Sequence, residues 1–508
     1  MAGNAGRGWY TPGGRKGKGD EGVQGSRAEL YAAFKAKDSR FDGRFFVGIR
    51  TTGVYCRPVC RARLAKAENC EYFASAAAAQ QAGYRPCLMC RPEQAPGLCP
   101  ADGAGAVAAR AALMMEALPG EGESLDTVAR TLGYSPRHLR RLFVAAFGVT
   151  PVGYAQASRL LLAKNLLTDT GLSVTEVAMA AGFGSLRRMN GLFKKQYRLS
   201  PTALRRQAAG GAPGRGVTVA LGYRPPYPFG ETLRFLAQRA IPGVETVENG
   251  EYARTVRLRG RDGGALTGWI RVCHLPGRGA LGVTLSETLV PALPQVLSRV
   301  KRLFDLYCEP DAVYRALEGM NRLRPGLCRP GTRVPGCFDP FEMAVRAVLG
   351  QQITVKAANT LAGRLALELG TPVETGIPGL ARAFPEKEDI LALGGGIRER
   401  LGALGVLSAR ADCILGLAGA LSRGEVALDL SADPERDIEK LKEIRGIGDW
   451  TAQYLAMRAM GWPDAFPAAD AGLKKALPGR TPGELRALAE AWRPWRSYAV
   501  MNLWNALP

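Results

Sequence analysis

The chain has no apolar run long enough to span a bilayer, and its opening stretch, "MAGNAGRGWYTPGGRKGKGDEG", lacks the apolar centre of a signal peptide. No membrane partner is expected. The expected setting is cytoplasmic and reducing, where paired cysteines bind metal or do chemistry more often than they form disulfides. Acidic residues are in short supply, 46 Asp and Glu against 68 Lys and Arg, which leaves a formal charge of +22. That surplus points to a polyanionic partner, nucleic acid or an acidic surface. Histidine is scarcer still, with two residues in all; His274 lies in a strand-like stretch and is given no function. At 508 residues the chain exceeds one ordinary core, so three or four domains are expected.

What is present is a close spacing of cysteines. "TTGVYCRPVC" holds Cys56 and Cys60, and "RPCLMCRP" holds Cys87 and Cys90. CxxxC followed by CxxC supplies four thiolates, a closed tetrahedron for Zn²⁺, and the short Ala-rich segment between the pairs has little core of its own without a metal. On spacing alone a purely structural zinc site is the favoured reading. The wider stretch, "DGRFFVGIRTTGVYCRPVCRAR" with "GYRPCLMCRP", closely resembles the N-terminal domain of the Ada methylation-response proteins. The resemblance implies that Cys56 accepts a methyl group from a DNA methylphosphotriester while Cys60, Cys87 and Cys90 complete the zinc site with it. Four thiolates on one zinc ion carry a net double negative charge, and methylating one of them halves it, so DNA binding should strengthen after repair. Cys70 and Cys99 lie outside the motif and are read as ordinary.

Next the sequence nearly repeats itself. "LDTVARTLGYSPRHLRRLFVAAFGVTP" from Leu125 is echoed by "VTEVAMAAGFGSLRRMNGLFKKQYRLSP" from Val174, with one extra residue after the second glycine turn. Ser135 and Pro136 form a good helix start. Arg137, His138, Arg140 and Arg141 fall on the second helix of the first copy, and Arg187, Arg188 and Asn190 on that of the second, as major-groove helices require. The tandem pair, joined by "YAQASRLLLAKNLL", resembles the AraC-type transcription regulators. Activation of this kind implies RNA polymerase as a further partner.

After "AAGGAPGRG", read as a flexible linker, short alternating strands surround one helix. "RPPYPF", "FLAQRAIPGVETV", "YART" and "RLFDLYCEP" resemble the N-terminal domain of AlkA-type 3-methyladenine DNA glycosylases, which implies a scaffolding role. In "LKEIRGIGDWTAQYLAMRAMGWPDAFPAADAGLKKAL", Gly446 and Gly448 allow a tight hairpin whose following backbone N–H groups suit a DNA phosphate, with a monovalent cation on nearby carbonyls. The segment resembles the helix-hairpin-helix glycosylases, the AlkA branch in particular. Asp470 is implied as the catalytic carboxylate, and Trp450, Tyr454 and Trp504 as the aromatic pocket for a cationic methylated purine. "FEMAVRAVLGQQITVKAA" matches the segment bearing the wedge that fills the gap left by a flipped nucleotide. It places Gln351 and Gln352 against DNA, with Gln352 where the family has leucine.

Three absences then sharpen the expectation. Tryptophan replaces the lysine that strand-cutting members carry at position 450, so a monofunctional glycosylase is expected. No four-cysteine cluster follows the hairpin, which excludes the iron–sulfur variant. No "PCHR" stretch occurs, so direct O6-methylguanine reversal is not expected. The expected fold is multidomain α+β: a basic tail (1–26), a zinc methyl-acceptor domain (27–95), an all-α double helix-turn-helix (104–207), a linker (208–216), a small antiparallel β/α domain (217–305) and an all-α glycosylase domain (306–508). The expected protein is a bacterial, monomeric, nucleoid-associated repair enzyme acting on double-stranded DNA. Its rival is a regulator whose glycosylase half recognises damage without cleaving.

Overall fold

The structure, a computed structural model, describes residues 23–97, 103–117, 125–207, 216–260 and 262–507. Most of the expected basic tail, most of the linker and Cys99 lie outside the described residues.

Helix α1 (Arg27–Ala36) opens the zinc module on a capping box between Ser26 and Glu29, in which each side chain satisfies an orphan backbone N–H. Strands β1 (Phe46–Ile49), β2 (Val54–Cys56) and β3 (Cys70–Phe73), helix α2 (Ala76–Gln81) and strand β4 (Arg85–Pro86) follow, and the sheet order is β3-β1-β2-β4. The parallel β2–β4 pairing brings the second cysteine pair beside the first.

Helix α3 (Gly103–Ala117) leads to α4 (Leu125–Thr131) and α5 (Pro136–Phe147), the first helix-turn-helix. The connecting helix α6 (Pro151–Asp169) then leads to the second, α7 (Val174–Ala180) and α8 (Leu186–Tyr197), which ends on α9 (Pro201–Gln207). The repeat has a physical basis. Each recognition helix is capped by a serine, Ser135 or Ser185, whose hydroxyl accepts a backbone N–H. Each buries a stripe at four-residue spacing, Leu139, Phe143 and Phe147 in α5 and Met189, Phe193 and Tyr197 in α8.

Strand β5 (Val217–Gly222), helix α10 (Phe229–Ala237), and strands β6 (Glu245–Glu248), β7 (Glu251–Arg259), β8 (Ala265–Leu275) and β9 (Ala280–Leu285) build an antiparallel sheet of order β5-β9-β8-β7-β6. Helices α11 (Leu293–Leu303), α12 (Pro310–Leu317), α13 (Pro340–Leu349), α14 (Val355–Leu369), α15 (Lys387–Leu391), α16 (Ile397–Ala403), α17 (Ser408–Ser422), α18 (Pro434–Glu443), α19 (Asp449–Leu455), α20 (Ala471–Ala476), α21 (Pro482–Ala489) and α22 (Arg496–Asn505) complete the chain. A π-helical turn, Ala456–Met460, continues α19.

The two helix-turn-helix copies belong to different cores. The first packs with α3 and Ala77 of the zinc module, whereas the second shares one continuous apolar core with the sheet and the C-terminal helices. Polar ties reinforce the junctions. Lys164 on α6 forms a buried ion pair with Glu93 at 2.6 Å, and Arg91, the residue after Cys90, reaches Asp169 at 2.8 Å. Helix α3 packs on α11, where Lys301 meets Glu116 at 3.1 Å, and Arg110 donates to the carbonyls of Leu430, at 3.0 Å, and Ala432, just ahead of α18.

Candidate zinc, DNA-binding and base-release sites

In the zinc module, Cys56 ends β2, the Arg57–Cys60 turn closes on a Cys60 N–H to Arg57 carbonyl bond of 3.1 Å, and the Cys87 N–H donates to the Tyr55 carbonyl at 3.0 Å. The sulfurs of Cys56, Cys60, Cys87 and Cys90 consequently lie within 4.8 Å of one another. A tetrahedral zinc with sulfur at about 2.3 Å needs sulfur–sulfur edges of roughly 3.8 Å, so the donor set fits with small adjustment. Cys70 is buried but stands outside the cluster, its thiol turned to the Lys66 carbonyl at 3.4 Å.

The four sulfurs are not equivalent. The Arg57 N–H donates to Cys90 Sγ at 3.3 Å, the Ala62 N–H to Cys60 and the Cys90 N–H to Cys87. The strongest influences on Cys56 are the other sulfurs themselves; sharing with Cys60, then Cys87 and Cys90, drives its thiol far above the ordinary range. A donor that stabilises a thiolate also lowers its nucleophilicity, so backbone N–H groups damp Cys90, Cys60 and Cys87. Sequence reasoning missed Asp42, whose carboxylate grips Arg57 in a buried ion pair and so fixes the donor to Cys90.

On the recognition helices Arg137, Arg140, Arg141, Arg187, Arg188 and Asn190 are exposed. His138 is half-buried, stacked on Tyr134 with ring centres 5.4 Å apart and paired with Arg141 at 3.2 Å.

The second chemical site forms where α19, α20, α22 and α10 converge. Asp470 is the N-cap of α20, its Oδ1 accepting the N–H groups of Gly472 at 2.8 Å and Leu473 at 3.1 Å. Two indoles complete the grip: Trp504 Nε1 donates to Oδ1 at 2.9 Å and Trp450 Nε1 to Oδ2 at 2.9 Å. Cap and expected catalytic carboxylate are thus one residue, held in a single rotamer and only 9% exposed. Gly472 is needed for this closeness, since a Cβ there would stand 2.9 Å from both Asp470 Oδ1 and the Trp504 ring.

Trp450 and Tyr454, one turn apart on α19, stack at 5.2 Å, and Tyr454 lies 6.4 Å from Trp504. Trp504 also stacks at 6.4 Å on Phe235 of α10, so the segment expected only to scaffold lends a ring to the pocket. Two arginines, each one turn beyond an aromatic residue, back this wall. Arg239 lies 3.8 Å over Phe235, and Arg458 lies 4.7 Å over Phe235 and 5.6 Å over Tyr454, with Nη1 donating to the Tyr454 hydroxyl at 3.0 Å. Burial lowers Arg239 to about 10. The spacings Phe235–Arg239 and Tyr454–Arg458 were the available sequence signals. Trp495, by contrast, is a core residue packed edge-on against Tyr498.

At the hairpin, Gly446 has φ +97° and Gly448 caps α19 without a side-chain bond, leaving first-turn N–H groups open to an anion. Gln352 is exposed with φ +57°. Gln351, expected on DNA, turns its amide into the protein, donating to the Gly446 carbonyl at 2.8 Å and to Thr451 Oγ1 at 3.1 Å. Among the described residues the four zinc-module cysteines are the only group of metal-ligand geometry, and no helix is long and apolar enough to cross a membrane.

Comparison with known families adds three matches: the metal binding domain of Ada over residues 29–93, a helix-turn-helix domain over 128–207 and the AlkA N-terminal domain over 218–339. The chain is 37% identical over 284 residues to DNA-3-methyladenine glycosylase 2 of Escherichia coli, covering 56% of this chain and 95% of that protein. It is 38% identical over 148 residues to the bifunctional transcriptional activator/DNA repair enzyme Ada of the same organism, covering 29% of this chain and 40% of that one. A probable bifunctional transcriptional activator/DNA repair enzyme AlkA of Mycobacterium tuberculosis is 38% identical over 487 residues, 94% of this chain and 96% of the relative. With one relative matched almost end to end, the chain belongs to the bifunctional transcriptional activator/DNA repair enzyme AlkA family.

Proposed function

We propose that this chain repairs alkylated DNA by two separate reactions and couples one of them to transcription. Excision of alkylated purines, of the 3-methyladenine and 7-methylguanine type, is the work of the C-terminal half. The observation that carries this reading is Asp470, fixed by Trp450 and Trp504 at the edge of an aromatic pocket. As the C1′–N bond breaks, its electron pair leaves with the base and positive charge builds on the deoxyribose. The Asp470 carboxylate faces that charge without having to reorient, and a water adds its oxygen to C1′ while its proton passes to solvent. Trp450, Tyr454 and Trp504 offer π faces to a base that methylation has made cationic. With tryptophan at position 450 no amine is available there for a Schiff base, so the enzyme is monofunctional.

The zinc module performs the other reaction. A zinc ion held by Cys56, Cys60, Cys87 and Cys90 would keep the four sulfurs as thiolates at neutral pH. Cys56 attacks the methyl carbon of a methylphosphotriester, the C–O bond breaks, and the pair stays on the phosphate as a diester anion. The thioether is permanent, so each chain acts once. Loss of one negative charge favours DNA, and the exposed cations of α5 and α8 read the promoter, from which RNA polymerase is recruited. Residues 27–95, 104–207, 217–305 and 306–508 serve as the working units, in a monomer of the bacterial cytoplasm close to the nucleoid. The hairpin of Gly446 and Gly448 grips a phosphate, with a monovalent cation on its outward carbonyls.

The deciding experiment is release of free 3-methyladenine from alkylated duplex DNA by the wild type and by Asp470→Asn. Release by the former alone supports excision, whereas binding without release by either makes the C-terminal half a damage reader only. Intact-mass measurement after exposure to methylphosphotriester DNA tests Cys56 independently.

A further inference from the structure

Three segments meet at Gln351. The loop after α13 carries it, the hairpin between α18 and α19 receives its amide, and α17 supplies Arg410, whose guanidinium donates to the Gln351 carbonyl. Helix α17 also underlies the hairpin itself, since a Cβ on Gly446 would come within 3.1 Å of Cys413 Sγ. Both N–H groups of the Gln351 amide are spent on Gly446 and Thr451, so contact with DNA through that nitrogen would require two bonds to break. The neighbouring residue, exposed Gln352, has φ +57°, a left-handed conformation that a glutamine keeps only when its flanks are held. Its N-terminal flank is the residue anchored on both its side chain and its carbonyl.

We propose that Gln351 is a positioning residue: a strut that ties the phosphate-gripping hairpin to the wedge loop, so that seating the hairpin on DNA and opening the base stack occur as one event. The inference rests on the glycosylase reading of the C-terminal half. Gln352 does the wedging, and Gln351 transmits the hairpin's position to it. Without the strut, Gln352 relaxes toward negative φ, and the hairpin still binds phosphate but no longer drives the wedge into the stack.

The test uses the full-length protein, Gln351→Ala, Gln351→Glu and Gln352→Ala. Its duplexes carry one alkylated purine beside a fluorescent base analogue that reports unstacking. Three quantities are measured: affinity for undamaged duplex and its salt dependence, the unstacking signal, and the single-turnover rate of base release. The strut predicts that Gln351→Ala keeps affinity within about 2-fold and loses about 10-fold or more in both unstacking and release, since small misplacements next to the chemistry are costly. Gln351→Glu, which sets a carboxylate against the Gly446 carbonyl, should do no better. A lesion placed opposite an abasic site, already half unstacked, should restore most of the rate to Gln351→Ala. A Gln351→Ala protein that binds undamaged duplex weakly with a smaller salt slope, and unstacks normally once bound, would overturn the strut in favour of direct DNA contact. Unchanged unstacking and release would overturn it as well. Because unstacking is read without cleavage, a wild type that opens the stack yet releases no base would sink the glycosylase reading and leave the strut standing.

Discussion

Trp504 donates its indole N–H to Asp470 Oδ1 at 2.9 Å, on the same oxygen that caps α20. Orientation of the carboxylate and capping of the helix are therefore properties of one hydrogen-bond set, and under the proposed mechanism a change at Asp470 should be visible in both base release and stability. Asp470→Asn retains a good capping group but turns an amide N–H toward one of the indole donors. We expect base release to fall by about 10²–10³-fold and the C-terminal domain to lose about 1–2 kcal/mol. Single-turnover release and thermal melting measure the two effects.

Trp450→Phe removes the donor to Oδ2 and keeps a ring against Tyr454. The expected result is a release rate lowered by about 10-fold, with product-base inhibition altered by no more than about 2-fold. In an Asp470→Asn background the same substitution should add little, because the bond it deletes no longer orients a carboxylate. Additive losses would assign Trp450 a role independent of Asp470.

Asp305 supplies a pH dependence. Burial pushes its carboxyl up to about 6, even though it accepts from the Val334 N–H at 2.9 Å and the Tyr498 hydroxyl at 3.2 Å. A group raised in the folded state contributes its stability fully below its unfolded value, near 4, and loses it as pH rises through 6. Asp305→Asn removes the titration and suits the local φ of +50°. The wild type should therefore lose more melting temperature than the variant between pH 4 and pH 7, and equal losses would refute the assignment.

Metal removal should act on the zinc module first, because its two apolar clusters are small and one is built around the cysteines. A chelator should lower the first melting transition and abolish methyl uptake. Cys56→Ser should retain zinc, measured by elemental analysis, and gain no methyl by intact mass. Methyl uptake by that variant would move the acceptor to another sulfur.

Much of this chemistry was legible because it is local in sequence. Cys56 with Cys60, Cys87 with Cys90, and Trp450 with Tyr454 announce themselves by spacing, and the serine caps and four-residue apolar stripes of α5 and α8 by period. What could not be read was contact across long separations. Phe235 reaches Trp504 from the preceding domain, Arg458 is held by the carbonyls of Pro335 and Gly336, and the inward turn of Gln351 depends on a hairpin almost a hundred residues away. No propensity encodes those meetings; the packing of α10, α13 and α19 does. The tandem repeat is matched as one helix-turn-helix domain over residues 128–207, yet its equal patterns do not show that the two copies bury their apolar stripes in separate cores.

That division bears on any attempt to dissect the protein. Helix α7 rests on the turn Glu287–Ala292 and α6 on β5, so the buried side chains of the second copy, Phe183 and Met189 among them, belong to the apolar interior of the excision half. Severing the chain between residues 207 and 217 would bare oily surface on both fragments, and the upstream piece should clump or lose its second recognition helix unless the downstream piece is supplied with it. Mixing separately made halves and watching for recovery of a soluble pair would reveal whether this is two tools on a string or a single forging.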